Sequence, residues 1–159
     1  MAFNQAQFRE CIVRPTLQEL QLYSPEAEEL LIMTMAHESK GGTYFKQMSG
    51  PALGVYQMEP RTYDDIWAHY IANNPKLMVL MLNACQYLQK PPATHLLWNL
   101  KLSTMMARVY YVRIREVIPE ADNLTGLSEY AKKYWNTSMG KATPEDYLIA
   151  YNKYMGKKL

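Results

Sequence analysis

One acidic residue in this chain stands where a carboxyl group could act as an acid catalyst. Glu38 follows the apolar run at residues 30–36, and it precedes a glycine-rich segment that contains Gln57, nineteen residues further on. Burial of a carboxyl group raises its pKa because the charged form loses hydration. A glutamic acid that stays protonated near neutral pH can donate its proton to a leaving oxygen, as cleavage of a glycosidic bond requires. The sequence therefore predicts a general acid at Glu38; a solvated glutamate at a helix end is the alternative.

Helix signals on both sides of the apolar run predict how Glu38 is positioned. Ser24 and Pro25 are suited to the N-cap and the first turn of a helix, and acidic residues follow them where the helix dipole favours negative charge. Gly41 and Gly42 are typical of a helix end. Because the second half of this helix is apolar on every side, we expect the rest of the fold to enclose it. Glu38 should then lie at the C-terminal end of a buried helix.

The remaining start signals predict a chain of helices with one irregular segment. Helices are expected to begin at Pro60 and after Asn74-Pro75, Pro91-Pro92, Pro119 and Thr143-Pro144. Between residues 43 and 58, glycines interrupt β-branched and aromatic residues, which favours a short hairpin or an irregular ribbon. The predicted fold is mainly α: a single helical domain over residues 1–159 with one small β-hairpin.

Composition excludes several classes of function. The 17 basic and 15 acidic residues leave a net charge of +2, and the basic residues form no stripe, which argues against nucleic acid as a partner. No run reaches the roughly 18 apolar residues of a membrane span, and the N-terminus does not resemble a signal peptide. Cys11 and Cys85 lack metal-ligand spacing, and Gly41 occupies the second histidine position of a HExxH motif that would begin at His37. We expect no metal and no cofactor.

Three motifs resemble those of a known superfamily. Glu38-Ser39 and the run GVYQMEPRT at residues 54–62 resemble the signature of lytic transglycosylases and goose-type lysozymes: a Glu-Ser pair, then Gly-x-x-Gln-x-x-Pro-x-Thr. Residues 99–111 resemble the second motif, an Asn followed by a helix. Ala150-Tyr151-Asn152 resembles the third motif, Ala-Tyr-Asn. The order and spacing agree over roughly residues 24 to 155, and the segments GPALGVYQMEP and YWNTSMG are similar to phage-encoded members, including virion-associated ones.

The resemblance implies an α+β lysozyme-like fold with the β-hairpin beside the active-site cleft. It also implies an enzyme that cleaves the β-1,4 bond between N-acetylmuramic acid and N-acetylglucosamine in peptidoglycan. Glu38 would protonate the leaving oxygen and then accept a proton from the muramyl 6-hydroxyl, which attacks to form a 1,6-anhydro end. The partners would be peptidoglycan glycan strands and, for a virion-associated member, other virion proteins. The expected location is a phage particle made in the host cytoplasm that acts on the periplasmic cell wall. The alternative is a non-catalytic structural virion protein that retains the fold.

The same resemblance implies roles for residues around Glu38. Gln57 and the backbone around Tyr56 would bind the sugar amides, and Tyr151 would donate a hydrogen bond that orients Glu38. Residues given supporting or weaker roles are Asn152, Ser39 and Ser49. Each has a structural alternative: Tyr151 shares an apolar helix face with Tyr147 and Tyr154, Gln57 could cap a turn, and Ser39 could end the helix.

The sequence also departs from the superfamily pattern. Lys153 and Tyr154 follow the third motif where Ala-Gly is usual, and Pro51 replaces a usual glycine, which stiffens the loop and removes an N–H donor. Glu59, Asp64 and Asp65 follow Gln57 closely. One of these three acids could be the second carboxylate of a hydrolase, although Asp64 and Asp65 also suit the first turn of a helix.

Overall fold

The structure is a computed structural model that describes residues 2–136 and 139–155. It is mainly helical: the α-helices are α1 (Gln5–Phe8), α2 (Arg14–Glu19), α3 (Pro25–Glu38), α4 (Pro60–Ile66), α5 (Pro75–Cys85), α6 (Leu100–Val112), α7 (Leu124–Ala131) and α8 (Pro144–Met155). A 3₁₀-helix spans Ala93–Leu97, and π-helical turns span Arg9–Val13, Trp67–Ile71 and Lys132–Asn136. Within these described ranges, no helix is both long enough and apolar enough to cross a bilayer.

Helix α3 is the centre of the fold. Residues 30–36 are all fully buried, as their sequence predicts, and helices α6, α7, α8 and the N-terminal helix pack around them. Ser24 caps the helix by accepting a hydrogen bond from the Ala27 amide at 3.2 Å, and Glu38 is its last residue. The predicted helix from Ser24 to Glu38 is therefore confirmed. A second group of buried residues joins α4, α5 and α6, so α6 contributes to both parts of the core.

Asparagine caps and a proline explain where other helices break. The predicted helical pattern after Pro92 is interrupted because Asn99 has an extended backbone and its side chain accepts the Leu102 amide hydrogen at 2.9 Å. Nearer the N-terminus, Pro15 has no N–H to donate to the carbonyl four residues before it. The helix widens there into a π-turn, in which the Arg14 amide donates a hydrogen bond to the Arg9 carbonyl five residues back.

The helix predicted after Pro119 extends to residues 137 and 138, which lie outside the described residues.

The predicted β-hairpin at residues 43–58 is wrong. In the described chain this segment forms no strand, only two isolated antiparallel bridges, Lys46 to Leu53 and Leu53 to Met58. The physical reason is that Gly54 and Gln57 adopt left-handed φ values of 76° and 51°. These values fold the backbone back within six residues, so the extended pairing that a hairpin requires cannot continue. The segment is a compact ribbon packed over the end of α3.

A partly buried charge network ties Arg9 and Arg14, in the π-turn at Arg9–Val13 and in α2, to α3 and α8. Arg14 donates two hydrogen bonds to the Glu28 carboxylate, at 2.8 and 2.9 Å, and Arg9 donates to both Glu28 and Glu29. The Tyr151 hydroxyl donates to Glu29 as well. Burial would raise the pKa of the Glu28 carboxyl, but the hydrogen bonds from Arg14 and Arg9 outweigh burial and the pKa is lowered. The charged form of Glu28 therefore stabilises the fold.

This network predicts a loss of stability at low pH. Because the folded-state pKa of Glu28 lies below its ordinary value of 4.5, its contribution is complete above pH 4.5 and is lost as the pH falls through the folded pKa. Below pH 4.5, the parental protein should lose up to about 1.4 kcal/mol per pH unit more unfolding free energy than Glu28→Gln. Urea titrations from pH 2.5 to 7 would measure both slopes, with Glu19→Gln as the matched control because Glu19 forms an exposed pair with Lys101. Parallel slopes for Glu28→Gln and its parent would contradict the assignment.

Candidate active site

A cleft of about 620 Å³ opens beside the C-terminal end of α3. Its size lies within the range of ligand-binding clefts in proteins. Polar and aromatic side chains from distant parts of the chain line it: Glu38, Gln47, Ala52, Gln57, Met58, Glu59, Thr62, Tyr110, Trp135, Asn136 and Gly140. The end of α3, the ribbon, α4, α6 and the π-turn after α7 each contribute, so the cleft exists only in the folded chain.

Among the described residues, neighbouring side chains form hydrogen bonds to only one of the two oxygens of the Glu38 carboxyl group. The Tyr147 hydroxyl donates a hydrogen bond to Glu38 Oε1 at 2.7 Å, and His37 Nδ1 lies 3.4 Å from the same oxygen. No residue that the structure describes donates a hydrogen bond to Oε2. The side chain is 16% exposed, so it is largely shielded from solvent yet reachable from the cleft. A carboxyl group with one oriented oxygen and one free oxygen can transfer a proton to or from a ligand.

Tyr147 is a stable hydrogen-bond donor. Burial raises the pKa of its phenol far above the usual range, and the neighbouring charge of Glu38 raises it further. The hydroxyl therefore keeps its proton. The His37 ring stacks on the Tyr147 ring with centroids 4.0 Å apart, which limits rotation of the phenol. Together these contacts determine the position of Glu38 Oε1.

Gln57 faces the same cleft from the ribbon. Its backbone is left-handed, and its Nε2 donates a hydrogen bond to the Gly54 carbonyl at 2.8 Å. The side chain thus closes the turn, as the structural alternative predicted, while it also lines the cleft. Among the described residues, none donates to its amide oxygen, which leaves an acceptor for an N–H or O–H group of a ligand.

Two aromatic side chains form part of the cleft wall. Trp135 lies on the π-turn after α7 and packs against Tyr110 of α6, with ring centroids 4.7 Å apart. The Tyr110 hydroxyl donates to the Tyr134 carbonyl, which fixes the π-turn to α6. Neither residue was among the site residues predicted from the sequence. The only available signal was the density of aromatic residues in the two segments, and that density equally fits core packing.

The cleft contains a second carboxylate. Glu59 lines it from the residue before α4 and is exposed, whereas Glu38 is largely shielded. Asp64 and Asp65 are on α4, where Asp64 pairs with Lys90, and neither of them lines the cleft. Of the three acids considered as a second carboxylate, Glu59 is therefore the one with access to a bound ligand.

The predicted contact between Tyr151 and Glu38 is wrong. Tyr151 donates to Glu29, about two and a half helical turns before the end of α3, and Tyr147 takes the position beside Glu38. The two tyrosines lie on the same face of α8, so the sequence could not tell which of them meets Glu38. The angle at which α8 crosses α3 decides it. Asn152 is exposed on α8 and does not line the cleft.

Three other residues of the predicted site, Tyr56 with its backbone, Ser39 and Ser49, are not among the residues that line the cleft. The Tyr56 phenol is buried against Thr104 at 3.3 Å, and burial raises its pKa, so it packs in the core. Ser39 is buried at the end of α3, where its hydroxyl donates to the Met35 carbonyl and accepts the Gly42 amide hydrogen. Ser39 therefore ends the helix, as its structural alternative predicted. Ser49 is exposed in the ribbon.

Comparison with protein families, with curated proteins and with solved structures finds no match to this chain. The cleft residues and the motif resemblance are therefore the basis for assigning a function.

If Glu38 is the catalytic carboxyl that the resemblance implies, removing the Tyr147 hydroxyl should slow the reaction without unfolding the protein. Tyr147→Phe keeps the ring that stacks on His37 but loses the hydrogen bond to Glu38. A hydrogen bond to a charged group is worth roughly 1.5 to 3 kcal/mol, so we expect a loss of activity of about tenfold or more on purified sacculi. The matched control is Tyr151→Phe, whose activity on sacculi should stay within about twofold of the parental activity. A greater loss in Tyr151→Phe than in Tyr147→Phe would reverse the assignment.

Proposed function

We propose that this protein is a peptidoglycan lytic transglycosylase that cleaves the β-1,4 bond between N-acetylmuramic acid and N-acetylglucosamine with Glu38 as its single essential carboxyl group. The observation that carries the proposal is the position of Glu38. It ends a buried helix, its Oε1 is bound by Tyr147, and its other oxygen is available in a cleft that also contains Gln57.

The first step of the proposed reaction is proton donation. The free oxygen of Glu38 delivers a proton to the glycosidic oxygen as the bond from that oxygen to muramyl C1 breaks. Tyr147 keeps Oε1 in place during this transfer, since its own hydroxyl does not ionise. The positive charge that develops on the muramyl ring then lies beside the newly formed Glu38 carboxylate, which stabilises it.

The second step reverses the direction of proton transfer. Glu38 accepts the proton of the muramyl 6-hydroxyl, whose oxygen bonds to C1 and closes the 1,6-anhydro ring. No water and no protein nucleophile is consumed, so one carboxyl group is sufficient. The Gln57 amide oxygen can accept a hydrogen bond from an acetamido N–H, which would set the register of the strand in the cleft. Trp135 and Tyr110 offer aromatic surface to the sugar rings.

The resemblance to phage-encoded members supports a further part of the proposal. The enzyme would be carried by a phage particle and would act locally on the host cell wall. A glycan strand is a polymer that must enter a site from the side, and an open cleft suits such a substrate better than an enclosed pocket.

The mass of the muropeptides released from purified sacculi tests the reaction type. Products whose muramyl ends lack one water are expected for a transglycosylase. Reducing muramyl ends would instead indicate hydrolysis, in which Glu59 would be the candidate for activating the water. Strand binding without any released product would favour the alternative, a structural virion protein that retains the fold.

A further inference from the structure

Arg113 does not line the cleft but lies next to its wall, between α4 and α6. Its guanidinium carbon is 5.2 Å from the centre of the Tyr110 ring, and Tyr110 lines the cleft. On the other side, Arg113 Nη1 lies 3.5 Å from Asp65 Oδ2. Asp65 follows the cleft-lining Thr62 by three residues, so it is on the same side of α4. Two neighbours of the cleft wall thus place the guanidinium beside it.

The donors of Arg113 are unusually free. No residue in the described ranges accepts a hydrogen bond from its guanidinium, and the buried Nε has no partner there. The 3.5 Å separation from Asp65 exceeds the roughly 2.7 to 2.9 Å of a charge-assisted hydrogen bond. In contrast, Arg9 donates three hydrogen bonds to carboxylates and Arg14 donates two. Stacking on Tyr110 and the charge of Asp65 hold Arg113 in place, and no described residue accepts a hydrogen bond from its guanidinium.

This arrangement suits recognition of a carboxylate. The planar guanidinium presents paired N–H groups that match the two oxygens of a carboxylate, and its packing over Tyr110 reduces the rotamer freedom lost on binding. Glu59, a carboxylate that lines the cleft, would repel an anionic group. Asp65 lies beside the Arg113 guanidinium but accepts no hydrogen bond from it, so the N–H groups of Arg113 remain for an anionic substituent of a bound strand.

We propose that Arg113 binds a carboxylate of the muramyl unit and thereby selects muramyl-containing strands over uncharged glycans. This inference rests on the proposed function, because it assumes that a peptidoglycan strand occupies the cleft. Two carboxylate sources have the required chemistry. One is the peptide stem, and the other is the lactyl group, which is free only where the stem has been removed.

Binding measurements on three glycans distinguish these possibilities. The Glu38→Gln protein keeps the strands intact, and calorimetry would measure its affinity for stem-bearing strands, for strands stripped of their stems, and for an uncharged chitooligosaccharide. Arg113→Gln in this background should weaken binding to at least one muramyl strand by about tenfold or more. Arg113→Lys keeps the charge but not the planar guanidinium. Its affinity for that strand should lie between the affinities of the protein with Arg113 and of Arg113→Gln. The matched control is Arg115→Gln, since Arg115 is exposed in the same segment.

Each outcome decides the inference. Weaker binding of stem-bearing strands alone assigns the stem carboxylate, and weaker binding of stripped strands alone assigns the lactyl carboxylate. Equal loss on the chitooligosaccharide, or no loss on either muramyl strand, would overturn the role of Arg113 and leave the proposed function intact. If the protein with Arg113 present binds none of the three glycans, the proposed function fails and this inference fails with it. Melting temperatures of the variants would identify any loss caused by unfolding.

Discussion

Glu38→Gln is expected to reduce the release of muropeptides from sacculi by at least about 10²- to 10⁴-fold. This is the usual contribution of general acid catalysis, and an amide cannot supply the proton. The fold should tolerate the change. Glutamine has the same size, and its amide oxygen can accept the Tyr147 hydrogen bond that Glu38 Oε1 now accepts. Initial rates of turbidity loss, measured beside thermal melts, would separate catalysis from stability.

The other cleft acid provides the matched control for this prediction. Glu59→Gln also removes a carboxylate from the cleft but should keep most of the activity if Glu38 acts alone. An additional control, Asp64→Asn, changes an acid on α4 that pairs with Lys90 and does not line the cleft. If Glu38→Gln clears sacculi at the rate of the parental protein, the catalytic assignment of Glu38 is disproved. A large loss in both Glu38→Gln and Glu59→Gln would point to a two-carboxylate hydrolase.

Gly54→Ala is expected to destabilise the fold by more than about 2 kcal/mol. The left-handed φ of 76° costs a residue with a Cβ roughly 1 to 2 kcal/mol. In addition, a Cβ at this position would lie 2.4 Å from the Leu96 carbonyl oxygen, which is backbone and cannot move aside cheaply. The Gly54 carbonyl also accepts the Gln57 side chain, so displacement of the turn should reduce activity even where the protein stays folded. Urea unfolding and sacculus clearing would measure the two effects.

Gly50→Ala is the matched control for stability. Gly50 lies in the same ribbon, its φ is not left-handed, and the three atoms nearest to an added Cβ all belong to the Gln47 side chain. That side chain can move, at the cost of the hydrogen bond that its Oε1 accepts from the Ala52 amide. The unfolding free energy of Gly50→Ala should therefore stay within about 1.5 kcal/mol of the parental value. Similar losses in Gly50→Ala and Gly54→Ala would mean that the ribbon tolerates no side chain in general, which contradicts the specific contact with Leu96.

The tyrosines of α8 show how far a motif resemblance extends. The Ala-Tyr-Asn motif lies on α8, and α8 does provide the hydrogen bond to Glu38. The motif predicts Tyr151 as the donor, however, whereas the donor is Tyr147, one turn earlier. Tyr151 instead joins the partly buried network of Arg9, Glu28 and Glu29. Both tyrosines therefore fasten α8 to α3, and only Tyr147 does so at the cleft.

Local interactions explain what the amino-acid sequence determined by itself. Ser24, Pro25 and the apolar run after them specify a buried helix, and the glycines at residues 41 and 42 end it, so Glu38 at a helix end could be predicted. Asparagine and proline signals likewise located the starts of α4, α5 and α8. These signals act within one or two turns of the chain, where the residue types alone decide the energy.

Only the tertiary structure decided which residues meet around Glu38. Tyr147 reaches Glu38, and Tyr110 and Trp135 reach the cleft, because of how α6, the π-turn and α8 pack. The spacing of these residues in sequence carries no information about that packing. The β-propensity of residues 43–58 was overridden in the same way. Left-handed turns at Gly54 and Gln57 and contacts with Leu96 shape that segment, and a contact between residues far apart in the chain cannot be read from local propensity.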